Sequence, residues 1–296
     1  MKDHIILIDV SGWTYRHFFG QPNMARSDGT PVNAVHGCVG SLWKIMQQNP
    51  SHICAVHDAA KRTFRHDIDP NYKANRPPVK PELAAQFPLI RRAIEAFGVT
   101  TLSAPNYEAD DLIATLAKRA LGQDMHVSII SSDKDLMQLI TLDGVTPTVR
   151  LIDPLKNKVI GPQEVVEKFG VTPDKLGDVL ALMGDVADNI LGVPGIGIKG
   201  AAALINEFGS LNAAIAAIPN ANTYPKPIKK SLSSICLFQD SAVLSRTLVE
   251  LKRDVPLAFD LDTMRCTTPD SNIVAALLDE FELVTLRDEI FGKVAA

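Results

Sequence analysis

The chain has only four cysteines in 296 residues, far apart at positions 38, 54, 236 and 266. There is no CxxC pair, which argues against a zinc site and a disulfide framework, so the four read as reduced thiols in a cytosolic compartment. No apolar run reaches the roughly 18–20 residues that a membrane helix needs. The opening MKDHIILIDVSG carries a short apolar stretch that ends in a charge, so it reads as a strand and not as a secretion signal. Neither sign of charge dominates: 30 Lys and Arg stand against 34 Asp and Glu, a net charge of −4. There is no whole-chain repeat and no low-complexity tract. At 46% apolar and 22% charged residues the composition is that of a soluble globular protein, which excludes a disordered, collagenous or coiled-coil chain. The length suits one large domain or two modest ones.

In the first half short apolar runs alternate with helical patterns. Strands are predicted at Ile5–Val10, Ile53–His57, Thr100–Ser103 and Val127–Ser131, with helical spacing at Leu89–Phe97 and Leu112–Leu121. This alternation predicts an α/β fold with a doubly wound parallel sheet. Lys61–Pro81, KRTFRHDIDPNYKANRPPVKP, breaks the rhythm. It is basic and proline-rich, and reads as a mobile, partly helical segment crossing above the sheet. Thr148–Ile160 reads as a hairpin around DPLKNK. From about Gly161 the pattern becomes all-helical, with helices predicted at Pro162–Phe169, Pro173–Met183, Gly200–Phe208 and Leu211–Ile218. Ala221–Lys230 reads as a basic loop, and Ser271–Phe291 as helices packing back on the core. The expected division is an α/β core over 1–160, with the basic segment at 61–95, a helical region over 161–265, and terminal helices over 266–296.

Three apolar runs end in aspartate: IILIDV in Asp9, ICAVHD in Asp58, and VSIISSDKD in Asp133 and Asp135. A fourth, VTTLSAPNY, leads into EADDLIATLA, which puts Glu108, Asp110 and Asp111 at a helix start. Sites in open parallel sheets form outside the carboxyl ends of the strands, so these seven acids are expected to converge. Each has a plainer reading alone: Asp9 as a turn or cap, the EADD acids as complements to a helix dipole, Asp133 and Asp135 as caps. Their coincidence favours a site for hard divalent ions, Mg²⁺ first, because clustered carboxylates repel one another unless neutralised. Two such ions form the usual clamp for phosphoryl transfer.

The segment ALMGDVADNILGVPGIGIKGAAALI adds Asp185 and Asp188, three apart and expected on one face of a helical turn. Neutralising all nine acids would turn the net charge of −4 into +5, so the overall sign does not exclude an anionic partner. Gly195, Gly197 and Gly200 fit GxGxxG, but between helices and outside a βαβ unit, which speaks against a dinucleotide site. Gly195 and Gly197 are expected to take positive φ and let their N–H groups, with Lys199 beside them, cradle a phosphodiester backbone without reading bases. An ordinary glycine-rich connection between helices is the plainer alternative. In the basic segment Arg65, Lys73 and Arg76 emerge next to Asp58 and are placed to hold a phosphate, and Tyr72 to stack on a frayed base, where a solvated face is the usual meaning of such a run. Tyr15, Arg16 and His17, just after Asp9, have DNA contact and core or helix-face roles equally open.

These blocks, IILIDVSGWTYRHFF, the FR-then-YKANRPP segment, YEADDLIATLA, SSDKDLMQLI, ALMGDVADNILGVPGIGIKGAAALI and LSRTLVELKRDVPLAF, resemble the 5′ nuclease (flap endonuclease) family over nearly the whole chain. Within it the likeness is greatest to the N-terminal 5′–3′ exonuclease domain of bacterial DNA polymerase I. His57 and Val10 stand where relatives often carry Phe and Gly, but neither removes a ligand. The resemblance implies a PIN-like nuclease core, an arch-like basic segment and a helix–hairpin–helix (H3TH) DNA-binding region. It further implies metal ligation by all nine acids, an active-site basic pair at Lys73 and Arg76, Mg²⁺ with Mn²⁺ as a substitute, and K⁺ at the Gly195–Gly200 turn. The partners it implies are DNA with 5′ flaps, nicks, gaps or RNA/DNA primer junctions, and a separate DNA polymerase, with the protein a cytoplasmic monomer. No polymerase or proofreading region follows, so the chain is expected to work alone or to be part of a longer one. A PIN-type single-strand ribonuclease would explain the acids but not the glycine turn. A non-enzymatic DNA-structure binder would explain the turn but not the acids.

Overall fold

The computed structural model of the chain describes residues 2–59, 62–143 and 146–292. A seven-stranded sheet is built from β1 (His4–Asp9), β2 (His52–Val56), β3 (Thr100–Leu102), β4 (His126–Ile130), β5 (Thr141–Asp143), β6 (Thr146–Ile152) and β7 (Val159–Ile160). The order is β3-β2-β1-β4-β6-β5, with β7 also on β6. β1 runs parallel to β2 and β4, β3 parallel to β2, and β6 parallel to β4, while β5 and β7 lie antiparallel to β6. The four strands expected from the apolar runs are present within a residue at either end. The hairpin around DPLKNK is β6–β7; the β5 pairing has no counterpart in the sequence reading.

β1 shows why the sheet is covered on both faces. Ile5 and Leu7 enter one core, Ile6 and Ile8 the other, as a period of two requires. On the Ile6 face lie α1 (Val10–Gly20) and α2 (Asn33–Met46). The crossing segment follows with α3 (Phe64–Ile68) and α4 (Pro81–Ala84), and α5 (Gln86–Ala96) returns to that face. On the Ile5 face lie α6 (Ala109–Gly122), α7 (Pro162–Phe169), α8 (Leu176–Met183), α9 (Ile198–Phe208), α10 (Leu211–Ala216), α11 (Lys226–Leu237) and α12 (Gln239–Val249). Finally α13 (Ser271–Glu280) and α14 (Val284–Phe291) pack Val274, Leu277, Phe281 and Leu286 into the Ile6-face core. Arg92 of α5 clamps Glu280 through two nitrogens at 2.8 and 2.7 Å.

Three helical expectations are corrected. Ala221–Lys230 is not a loop: a 3₁₀ turn at Ile218–Thr223 leads into α11, whose first turn holds Pro227. Proline is tolerated there because that N–H has no intrahelical partner. The α-helix expected over Leu211–Ile218 ends at Ala216, and Ile218 opens the 3₁₀ turn. Asp185–Asp188 is not a helical turn, because Gly184 at φ +73° ends α8 and Asp185 pairs with Ile190 in a tight loop.

Lys61 of the crossing segment lies outside the described residues; residues 74–82 are exposed, while 71–76 bond the loop that carries Asp188. Lys73 N–H donates to Asp188 O at 2.9 Å, Asn75 Nδ2 to Val186 O at 2.7 Å, and Asn189 Nδ2 to Asn71 O at 2.7 Å. These polar contacts, which no proline count reveals, fasten residues 71–76 to residues 186–189.

Candidate metal centre and nucleic-acid interface

β1 lies between β2 and β4, with Asp9 in register with Val56 and Ile8 with Ile130. The chain leaves β1 toward one neighbour and returns on the other side, which makes the edge beyond Asp9 a topological switch point. Asp9 is both cap and wall of this crevice: Oδ1 accepts from Gly12 N at 3.0 Å and Oδ2 from Ser131 Oγ at 2.8 Å. A Cβ on Gly12 would stand 2.4 Å from Asp9 Oδ2, so any side chain there would have to displace the Asp9 carboxylate. Asp58 accepts from Ser11 Oγ at 2.7 Å and from Ala109 N at 2.9 Å, tying the end of β2 to the start of α6. Glu108 and Asp110 enter from that start, and Asp133 from the turn after β4, where it accepts from Asp135 N at 2.8 Å.

A second group adjoins them. Carboxylate oxygens of Asp135, Asp185 and Asp188 lie within 4.8 Å of one another. Asp135 Oδ1 is buried with no hydrogen-bond partner. Asp9, Asp58, Glu108, Asp110, Asp133, Asp185 and Asp188 all line one open cleft of about 680 Å³. Seven of the nine predicted acids thus face it, and Asp135 sits behind.

Crowding shows in their acidity. Burial, with the Asp133 and Asp58 carboxylates adding, pushes Asp9 up to about 6. Burial and then neighbouring carboxylates, Asp133 above all, raise Asp110 and Asp135 well above the ordinary range, and burial raises Asp133. Burial would raise Asp188 too, but Lys73 and Arg76 hold it low. An all-oxygen donor set, an orphaned buried carboxylate oxygen and carboxyls that resist ionising together fit hard divalent cations.

The cleft has a cationic wall. Lys73 Nζ contacts Glu108 Oε1 at 2.8 Å and lies 3.7 Å from Asp188 Oδ2, and Arg76 Nη2 bonds Asp188 Oδ1. Lys134, unnoticed in the sequence although it sits inside SSDKD, pairs with Asp185 at 2.7 Å. Lys168 of α7 also lines the cleft, and no sequence signal pointed to it.

Three predicted site residues do other work. Asp111 is not in the cleft: fully buried, it accepts both guanidinium arms of Arg65 at 2.7 and 2.8 Å, Glu108 N at 3.2 Å and Lys252 N at 2.9 Å. Those four donors occupy it, which corrects its assignment as a metal ligand. Arg65, 2% exposed, also donates to Leu248 O and Glu250 O at 2.8 Å each, so it is a clamp between layers and not a DNA contact. Tyr72 is buried under Lys73, its hydroxyl 3.0 Å from Glu108 and 3.2 Å from Asp188, so its ring is not offered to a base. Of the residues left open after Asp9, Tyr15 lines the cleft, Arg16 pairs with Asp153 at 2.8 Å, and His17 is buried with its pKa pushed down to about 4 by burial.

The glycine turn lies between α8 and α9. Gly195 has φ +81° and open space where a Cβ would be. Gly197, with φ −93°, is extended and caps α9, so the expectation of positive φ there is corrected. Lys199 is exposed and Gly200 half-buried in the first turn of α9, where N–H groups point outward. The close approach the sequence reading missed is upstream: a Cβ on Gly192, φ +64°, would meet Gly184 N at 2.4 Å.

Residues 4–170 match the family model of the 5′–3′ exonuclease N-terminal resolvase-like domain, and residues 171–272 that of the 5′–3′ exonuclease C-terminal SAM fold. The chain belongs to the 5′–3′ exonuclease family. It is 40% identical over 293 residues to DNA polymerase I of Rhizobium leguminosarum, a match covering 96% of this chain and 28% of that protein. It is 38% identical over 285 residues to DNA polymerase I of Bacillus caldotenax, covering 95% and 31%. The chain thus spans about a third or less of the length of these relatives. Two solved structures share the fold. One is a T5 5′-exonuclease with bound zinc ions (TM-score 0.66, 21% identity, 95% of this chain and 98% of that one). The other is the catalytic core of Rad2 with DNA substrate (TM-score 0.65, 17% identity, 98% and 92%).

Proposed function

We propose that the chain is a divalent-metal-dependent, structure-selective 5′ nuclease. It cuts phosphodiester bonds near junctions of single- and double-stranded DNA and leaves 5′-phosphate and 3′-hydroxyl ends. The observation that carries this is one cleft in which seven carboxylates from five separate segments of the chain meet a wall of Lys73 and Arg76. Asp9, Glu108, Asp110 and Asp133 would hold one ion, and Asp135, Asp185 and Asp188 a second, with Mg²⁺ the expected metal and Mn²⁺ its substitute. Such ions supply an activated water and charge neutralisation at the scissile phosphate.

The chain's own groups do the rest. Lys73 and Arg76, already beside Glu108 and Asp188, are placed to donate to the phosphate oxygens and offset charge developing in the transition state. Asp58, with both oxygens engaged, fixes the start of α6 and so the placement of Glu108 and Asp110. The amides and Lys199 at the Gly195–Gly200 turn would grip the duplex backbone, with K⁺ a further candidate there, and base identity would go unread. Removal of primers and displaced flaps, in concert with a polymerase, is the biological task this chemistry suits.

The test is a 5′-labelled flap duplex incubated in Mg²⁺ and then in EDTA. Short 5′ fragments released only with Mg²⁺ are expected. Binding without cleavage in Mg²⁺ or Mn²⁺ would leave a DNA-structure binder. High activity on unstructured RNA with little on flaps would make it a ribonuclease.

A further inference from the structure

We propose that Lys168, in the last turn of α7, binds a backbone phosphate of the duplex between the scissile bond and the Gly195–Gly200 turn; this rests on the nuclease reading above. Four cations line the cleft. Three are engaged by its acids: Lys73 by Glu108, Arg76 by Asp188 and Lys134 by Asp185. Lys168 alone of the four has no carboxylate partner among the described residues. It is exposed, and its ammonium lies 5.0 Å from the ring of Phe169, a side chain that is itself buried. A cation in the last turn of a helix is commonly explained by the helix dipole. The dipole does not explain why this one faces a cleft crowded with carboxylates without pairing to any of them.

Its position supplies the explanation. Just after Lys168 the chain packs on α9: Asn206 Nδ2 donates to Gly170 O at 2.8 Å, and a Cβ on Gly170 would stand 3.0 Å from Ala202 Cβ. Lys168 therefore belongs both to the acidic cleft and to the layer that carries the glycine turn. A strand held at the turn and cut in the cleft has to cross between them. On that path the carboxylates repel phosphate, and an unpaired ammonium at the rim offsets the repulsion. The other three cations must first be released from their acids, whereas this one is available at encounter.

The experiment measures binding of a 5′-flap duplex by fluorescence anisotropy in Ca²⁺ across a salt series, and steady-state cleavage in Mg²⁺, for wild type, Lys168→Ala and Lys168→Arg. Losing one phosphate contact is expected to lower the slope of log K against log salt by about 0.9 and to raise Kd about fivefold near 0.1 M salt. KM should rise similarly with kcat within about twofold, the thermal midpoint should stay put, and Lys168→Arg should restore both slope and KM. An unchanged slope and KM in Lys168→Ala, with wild type binding and cutting normally, would overturn the inference and leave the nuclease reading standing. Failure of wild type itself to bind the flap duplex would overturn both.

Discussion

Arg65 offers the sharpest separation between a DNA contact and a structural clamp. Its guanidinium spends four hydrogen bonds on Asp111, Leu248 O and Glu250 O, at 2.7–2.8 Å, with 2% of the residue exposed. Arg65→Met keeps the stem but leaves Asp111 as a buried carboxylate without its counter-charge. Breaking one partner of a buried pair costs about 3–5 kcal/mol, a large share of the roughly 5–15 kcal/mol that holds an ordinary domain together. The urea midpoint should fall accordingly. The double variant Arg65→Met/Asp111→Leu should recover about half of the loss, because no charge is then stranded. It should not recover all of it, since Glu108 N and Lys252 N also lose an acceptor and two carbonyls lose a donor. Double-mutant analysis of unfolding reads the coupling directly. If Arg65→Met moved stability by less than about 1 kcal/mol while weakening flap binding, the clamp reading would be wrong and Arg65 would be facing nucleic acid.

Other expectations follow from the cleft. Asp133→Asn or Asp188→Asn should cut turnover by orders of magnitude and leave flap binding in Ca²⁺ largely intact; unchanged turnover in either would remove that residue from the site. Lys73→Ala should lower kcat by about 10²–10³ and change Kd only a few-fold, so an effect on affinity alone would reduce Lys73 to a phosphate contact. For metal-free protein, Asp9 loses its proton near 6 when folded and near 3.8 when unfolded. The folded state therefore holds the extra proton between those values, so the contribution of Asp9 to stability falls as pH rises through roughly 4 to 6. Mg²⁺ should reverse this and expel protons on binding. Calorimetry at pH 6 in two buffers of different ionisation enthalpy checks the release, and identical apparent enthalpies would refute it.

How much was legible in the sequence divides along physical lines. Asp9, Asp58 and Asp133 could be read because a parallel sheet sends every strand end to one edge, whatever the tertiary detail. Asp111 could not be kept with them by composition alone. It neighbours Asp110 on a helix, where successive side chains diverge by about 100°, so only one of the two can face the cleft. The three-residue spacing of Asp185 and Asp188 serves a helical turn and a tight loop alike, so it brings them together without revealing which of the two does so. The clamp role of Arg65 is not legible in the sequence, because its partners at Leu248 and Glu250 lie 183 and 185 positions away, a pairing invisible to any local pattern. The ring of Tyr72 suggests stacking, but it is the hydroxyl that is engaged, by Glu108 and Asp188. Ala221–Lys230 reads as a loop from its polar, basic composition, but Pro225 and Pro227 stand at a helix start, where proline is permissive.

The crossing segment shows how these local features combine. Lys73 sits at φ +57°, a left-handed conformation that disfavours a lysine by about 1–2 kcal/mol. That conformation persists because the flanking backbone is tied down: Lys73 N to Asp188 O at 2.9 Å, and Arg76 N to Lys73 O at 3.1 Å. The loop it is tied to is itself fixed by the Asp185–Ile190 pairing and by the contact of Gly192 with Gly184, which no side chain could permit. One tight loop therefore positions the acids at 185 and 188 and, through its carbonyls, the cations at 73 and 76. Acids and cations are thereby held at a fixed spacing by one set of backbone bonds. In the proposed reaction, a phosphate polarised from one side and neutralised from the other needs that spacing more than it needs any single contact.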